Sequence, residues 1–160
     1  FEVSFRLTFY VPEELRAIII RAGKILGIEV TPEGAWELAK RARGTPRIAN
    51  RLLRRTRDYA QVKGEGKIDL ETAKRSLAML EIDEVGLDRL DRAVLEAIVS
   101  KFGGGPVGLD TLAAALSEEK DTIADVVEPY LLKIGLVLRT SSGRKASENA
   151  YRHLNLEKRG

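Results

Sequence analysis

Apolar residues recur through the first half of the chain at intervals of three and four, the spacing that lines one face of an α-helix. From Pro12 onward, Leu15, Ile18, Ile19, Ala22, Ile25 and Leu26 keep this spacing until Gly27 interrupts it, which predicts a first amphipathic helix. Thr31-Pro32-Glu33 then supplies an N-cap, a first-position proline and an acidic first turn. The second helix therefore carries Trp36, Leu38 and Ala39, with Trp36 assigned to the core, and stops near Gly44. A third helix is expected from Pro46 to about Val62, and after the turn Lys63-Gly-Glu-Gly-Lys67, Asp69 caps a fourth with Leu70, Ala73, Leu77 and Leu80. Ahead of these helices Val3, Phe5, Leu7 and Phe9 alternate as in a strand, which calls for a sheet partner that the rest of the chain hardly offers. With no methionine before Phe1, the expectation is a C-terminal piece of a larger protein, residues 1–10 being a remnant strand of the missing part.

The acidic stretch Glu81-Ile-Asp-Glu-Val-Gly86 lacks helical periodicity and reads as a linker belonging to neither core, dividing 1–82 from 83–160 near residue 83. Beyond it Leu87, Leu90, Val94, Leu95 and Ile98 predict a helix ended by Gly103-Gly-Gly-Pro106. A short helix, Leu109–Leu116, stops at Ser117, and a third covers about Lys120–Ile134, where Pro129 is expected to bend it or mark its effective end. Gly135–Thr140, the turn Ser141-Ser-Gly143 and Arg144–Ser147 read as a strand and its return. Three helices followed by a hairpin make a winged helix-turn-helix. The fold class is mostly α: a small helical domain, then a winged domain with a short β-hairpin wing.

Charge sharpens this division. Residues 1–80 carry 16 Lys/Arg against 10 Asp/Glu, residues 81–132 carry 4 against 12, and residues 133–160 carry 7 against 2, so a polyanion is expected at the end of the chain rather than its middle. The absence of cysteine excludes disulfides, Cys-ligated zinc and thiol catalysis. No apolar run approaches the roughly 20 residues that span a bilayer, and a soluble, cytoplasmic protein is the expectation.

The chemistry that stands out lies in Ala42-Arg-Gly-Thr-Pro-Arg47, which opens a helix continuing through Arg51, Arg54, Arg55 and Arg57. Pro46 suits the first helical position, and the free amides around it favour an anion, so Arg47 would stand where a nucleotide phosphate could be reached. No G-x-x-x-x-G-K-[ST] occurs, hence the loop that cradles phosphates is missing. Gly103-Gly-Gly-Pro106 lacks the Lys-Ser/Thr of such a loop and reads as a helix stop. His153 is the single histidine, which excludes a His-rich metal site and a Ser-His-Asp triad. Arg51, Arg54, Arg55 and Asp58 share a face that is either solvated and salt-bridged or a contact for a neighbouring subunit.

Phe9-Tyr-Val-Pro-Glu-Glu-Leu15, Arg43-Gly-Thr-Pro-Arg-Ile-Ala-Asn-Arg51, Gly103-Gly-Gly-Pro-Val-Gly-Leu109, Glu128-Pro-Tyr-Leu131 and Ala150-Tyr-Arg-His-Leu154 occur in this order, and together the chain resembles the RuvB family. These are bacterial AAA+ motors of Holliday-junction branch migration in recombination and repair. The resemblance implies an AAA+ lid followed by a DNA-binding winged-helix domain, without the ATPase core. It implies that Tyr10 and Arg47 face the nucleotide, Arg47 as the sensor-2 arginine, and that Arg139 and Arg144 face DNA; the residues themselves add Pro46 beside the nucleotide and Lys145 beside the DNA. Tyr10 could otherwise cap the lid core. ATP or ADP with magnesium, duplex arms of Holliday junctions, RuvA and RuvC, and a homohexameric ring are implied for the intact parent. The piece alone is expected to be inactive and to hold no nucleotide tightly.

The residues themselves support a wing-based grip. The third helix of the winged domain carries Glu119, Asp121, Asp125 and Glu128, whose charges oppose deep insertion in a groove. Arg139, Arg144 and Lys145 flank the hairpin tip, suited to sequence-indifferent backbone or minor-groove contact. Family tips commonly read Thr-Pro-Arg-Gly-Arg, whereas Thr140-Ser-Ser-Gly-Arg144 lacks the middle arginine, a charge that Lys145 partly replaces. The competing readings are a winged-helix transcriptional regulator with a helical effector domain, and a structural adaptor without DNA affinity.

Overall fold

The computed structural model describes residues 9–155, which divide into two compact units between Asp88 and Arg89. The alternating stretch Val3 to Leu7 lies outside the described residues; Phe9 and Tyr10 belong to neither helix nor strand. In the first unit, α1 (Pro12–Leu26) ends at Gly27 with φ +75°, and α2 (Pro32–Lys40), α3 (Pro46–Val62) and α4 (Leu70–Met79) follow. Local cap chemistry starts three of them. Thr31 accepts the Gly34 N–H at 3.0 Å, Thr45 that of Ile48 at 3.2 Å and Asp69 that of Thr72 at 2.8 Å, each satisfying an orphan donor of the first turn.

Leu15 and Ile19 of α1, Ala35 and Leu38 of α2, Leu52 and Leu53 of α3, and Ala73 and Leu77 of α4 close into one core. Trp36 stays outside it, half-buried, its ring carrying the Arg16 guanidinium 5.1 Å from its centroid. Glu37 takes the inward place instead: its buried carboxylate accepts from Arg41 Nη2 at 2.7 Å and Lys40 Nζ at 2.8 Å. Thr56 and Ser76 share a buried hydroxyl bond of 3.0 Å between α3 and α4. A feature the periodicity did not announce is a two-residue parallel ribbon, β1 (Glu29–Val30) against β2 (Lys67–Ile68), which seats the starts of α2 and α4 together.

The stretch after α4 is no loose linker. Asp83 Oδ1 accepts from Val85 N at 3.1 Å and Leu87 N at 2.9 Å, Arg41 Nη1 donates to the Ile82 carbonyl at 3.1 Å, and Leu87 is fully buried.

Burial on its own raises the Glu37 carboxyl, but hydrogen bonds from Lys40 and Arg41 and the charge of Arg41 outweigh it and hold the group below its ordinary value. A carboxyl depressed in the folded state contributes stability that is present above its unfolded pKa and disappears as pH falls through the folded value. The first unit is therefore expected to melt progressively earlier as the pH drops below the carboxylate range. Glu37→Gln should lower its stability at neutral pH by about 2 kcal/mol and flatten that acid dependence, both read from melting curves against pH.

In the second unit α5 (Arg89–Glu96) runs on as a π-helical turn, Ala97–Lys101, so Leu87 precedes the helix rather than opening it. Next come α6 (Leu109–Leu116), ended by Ser117 in the left-handed region at φ +52°, and α7 (Lys120–Thr122). A second π-helical turn, Ile123–Val127, joins α7 to α8 (Glu128–Lys133). The helix continues past Pro129 instead of ending there. Proline lacks the N–H and its ring crowds the carbonyl four residues back, and widening the preceding turn relieves both demands.

The wing is the antiparallel pair β3 (Val137–Thr140) and β4 (Gly143–Ala146), with Arg139 directly opposite Arg144. Val107 adds a third member through a bridge to Arg144, with backbone bonds of 2.9 and 2.8 Å. A last helix, α9 (Glu148–His153), is capped by Ser147, and its presence in the sequence is signalled by Ser147-Glu148 alone. Leu95, Ile98, Leu112, Ile123, Val127, Leu131 and Ala150 are buried in this unit.

Candidate functional site

Two places gather the anticipated residues, one in each unit. At the start of α3, Arg43 and Gly44 both adopt positive φ, +59° and +74°, which reverses the chain between α2 and the Thr45 cap. Tyr10 N donates to the Gly44 carbonyl at 2.8 Å, so Tyr10 is fastened three residues ahead of Arg47, with its side chain partly exposed. Pro46 occupies the first helical position, and Arg47 is exposed and forms no ion pair among the described residues. The amide of Ile48 is already taken by Thr45 Oγ1, which narrows the set of free donors at this helix end. Further along α3, Arg51, Arg54 and Arg55 are exposed without ion pairs among the described residues, while Asp58 pairs with Arg57 at 3.4 Å. Of the two readings of this face, the salt-bridged one is met among the described residues only by the Asp58–Arg57 pair.

On the wing, β3 and β4 hold Arg139 and Arg144 on one face and over α8. There Arg139 Nη2 meets Glu128 Oε1 at 2.5 Å and Arg144 Nε meets Glu128 Oε2 at 2.8 Å, with the Glu128 side chain only 3% exposed. Glu128 thus faces inward, and its negative charge is compensated twice over. Only Glu119, Asp121 and Asp125 remain as the exposed carboxylates counted against groove insertion. Lys145 is exposed, Thr140 Oγ1 donates to the Gly143 carbonyl at 2.8 Å, and Ser142 N donates to Thr140 Oγ1 at 3.2 Å, which tightens the tip. The lone carboxylate inside the apolar run Val126-Val127-Glu128-Pro129-Tyr130-Leu131 was the available sign that Glu128 needs an internal partner.

No cluster of His, Cys, Asp and Glu suited to a metal occurs among the described residues. A groove of about 460 Å³ is lined by Thr31, Glu33, Asp69, Leu70, Glu71 and Lys74, none of them an anticipated site residue. No helix among the described residues is long and apolar enough to cross a membrane.

Residues 10–83 match the RuvB AAA lid domain, and residues 84–155 match the RuvB C-terminal winged helix domain, consecutively and in that order. The chain belongs to the RuvB family. Among solved structures it is similar to RuvB of Thermotoga maritima, described as a Holliday junction branch migration motor, with 45% identity over 94% of this chain and a TM-score of 0.90. Two single-residue variants of that RuvB superpose with TM-scores of 0.91 and 0.92, at 45% and 44% identity over 94% and 98% of this chain. The chain spans about half the length of these RuvB structures, 51–52% of each. Within the RuvB frame, the helical first unit is the AAA lid and the second is the winged helix.

Proposed function

We propose that this chain is the C-terminal part of an ATP-driven motor that moves Holliday junctions, its lid sensing nucleotide and its wing gripping duplex DNA without regard to sequence. The observation that carries the reading is the pairing of two consecutive RuvB domain matches with a hairpin whose exposed cations, Arg139 and Lys145, sit beside a tight uncharged tip. Contacts from such a hairpin fall on phosphates, which carry no base information, and a motor that travels along DNA needs that indifference. Exposed carboxylates on α7 and the adjoining turn oppose the deep major-groove insertion by which a sequence-reading regulator works.

For the lid, an exposed Arg47 without an ion pair among the described residues fits a nucleotide phosphate, and the Tyr10 ring fits stacking on a base. ATP supplies the driving reaction when bound to the intact motor, and magnesium accompanies it. One lid arginine on a terminal phosphate makes the lid's orientation depend on the nucleotide. The ring-forming homohexamer and the partnership with RuvA and RuvC belong to this same proposal for the longer protein.

Lys145→Ala is expected to weaken binding to unrelated duplexes to the same extent and to lower the log–log salt slope by about 1, measured by fluorescence anisotropy across a salt series. A loss confined to one sequence, or a footprint on a defined site, would overturn the motor reading in favour of a regulator. An absence of duplex binding at low salt would leave the adaptor.

A further inference from the structure

Glu128 holds two wing arginines whose circumstances differ. Arg144 is 16% exposed in its side chain, and its backbone is bonded to Val107 in both directions. Arg139, opposite it on β3, is 60% exposed. The carboxylate therefore has one partner built into the unit and one at the solvent edge. Two cations on one carboxylate leave a surplus positive charge, and the geometry puts that surplus on Arg139.

We propose that Glu128 competes with the DNA backbone for Arg139: the carboxylate holds Arg139 in the free wing and releases it to a phosphate on binding, while Arg144 stays in place. The inference rests on the reading of the wing as the DNA grip. It follows from what each separation leaves behind. Losing Arg144 would break an enclosed ion pair, whereas losing Arg139 leaves the buried carboxylate still compensated by Arg144, so no orphaned charge results. An ion pair with one exposed partner separates at little cost, and a phosphate contact also releases condensed counterions. Arg139 then moves between two anions without a large change in free energy, which keeps the grip submaximal and easy to release. Glu128 is in this sense a positioning residue that tunes affinity without touching DNA.

Glu128→Gln keeps a carbonyl oxygen for Arg144 and removes the charge that restrains Arg139. Across a salt series on two unrelated duplexes, this variant of the chain is expected to bind about threefold more tightly at low salt, with a similar slope because Arg139 reaches a phosphate in both chains. The gain should vanish when Arg139→Ala is added. Unchanged or weaker binding by a folded Glu128→Gln chain, or a gain that persists in the double variant, overturns the proposal. Guanidinium NMR of the unaltered chain tests it without any substitution: added duplex should shift the Arg139 signals and leave Arg144 Nε–H in its protected bond, and movement of both or of neither is the contrary result. If neither Arg139→Ala nor Lys145→Ala alters duplex binding, the wing reading itself fails. If both weaken binding while Glu128→Gln gives no gain, only the competition is rejected.

Discussion

Gly143→Ala is expected to cost the winged unit about 3 kcal/mol or more and to lower its melting temperature by about 10 °C or more. Gly143 has φ +132°, a region almost closed to residues with a Cβ, and a Cβ there would lie 2.4 Å from the Val107 carbonyl oxygen and 2.5 Å from its carbon. Both atoms are backbone, held by the bridge between Val107 and Arg144, so relief requires the hairpin to leave Val107. That displacement would also carry Arg139 and Lys145 off their places, and duplex affinity should fall about tenfold. Gly103→Ala is the control. It too has positive φ, +62°, but nothing lies within 4 Å of its added Cβ, and only conformational strain of about 1 kcal/mol is expected. Calorimetry on both variants separates the cases, and a Gly143→Ala chain that melts like the unaltered one would refute the steric argument.

In the full-length protein, Arg47→Ala is expected to reduce ATP-driven junction movement about hundredfold, the scale on which one preorganised charged contact acts in a nucleotide site. Duplex binding should stay within about twofold, because Arg47 and the wing cations occupy different units. Arg47→Lys should recover little, since an ammonium cannot reproduce the planar fork of the guanidinium on a phosphate. The measurement pairs a junction-migration assay with anisotropy on the same preparations. Parallel losses in both would remove Arg47 from the nucleotide role and suggest damage to the α3 start, where Thr45 and Pro46 set the local backbone.

The helices of the first unit were legible because their punctuation is local. Pro12, Thr31-Pro32, Thr45-Pro46 and Asp69 act within a few residues of themselves, and the structure starts its helices where that chemistry points. The wing was legible for the same reason, its two strands being joined by a short turn. What escaped depends on distant pairing. The ribbon joining Glu29–Val30 to Lys67–Ile68 is too short to show alternation, and the burial of Glu37 in place of Trp36 depends on the neighbouring cations Lys40 and Arg41. The inward turn of Glu128 depends on arginines 11 and 16 residues away, which a count of carboxylates along the helix cannot weigh. At the lid site, the residue types were readable, but the fastening of Tyr10 to Gly44 was not.

The widened turn Ile123–Val127 has a consequence for how this chain tolerates length changes. Each residue of an α-helix rotates the chain by about 100°, but a π turn takes up one surplus residue within a single widened turn, so the helix faces before and after it keep their phase. Excising one residue there should restore regular winding upstream of Pro129 and leave Glu128 facing the hairpin, beneath the two arginines. Relatives that are one residue shorter at this point would lose the widened turn and still hold their acidic side chain directly before the proline, in the same electrostatic seat.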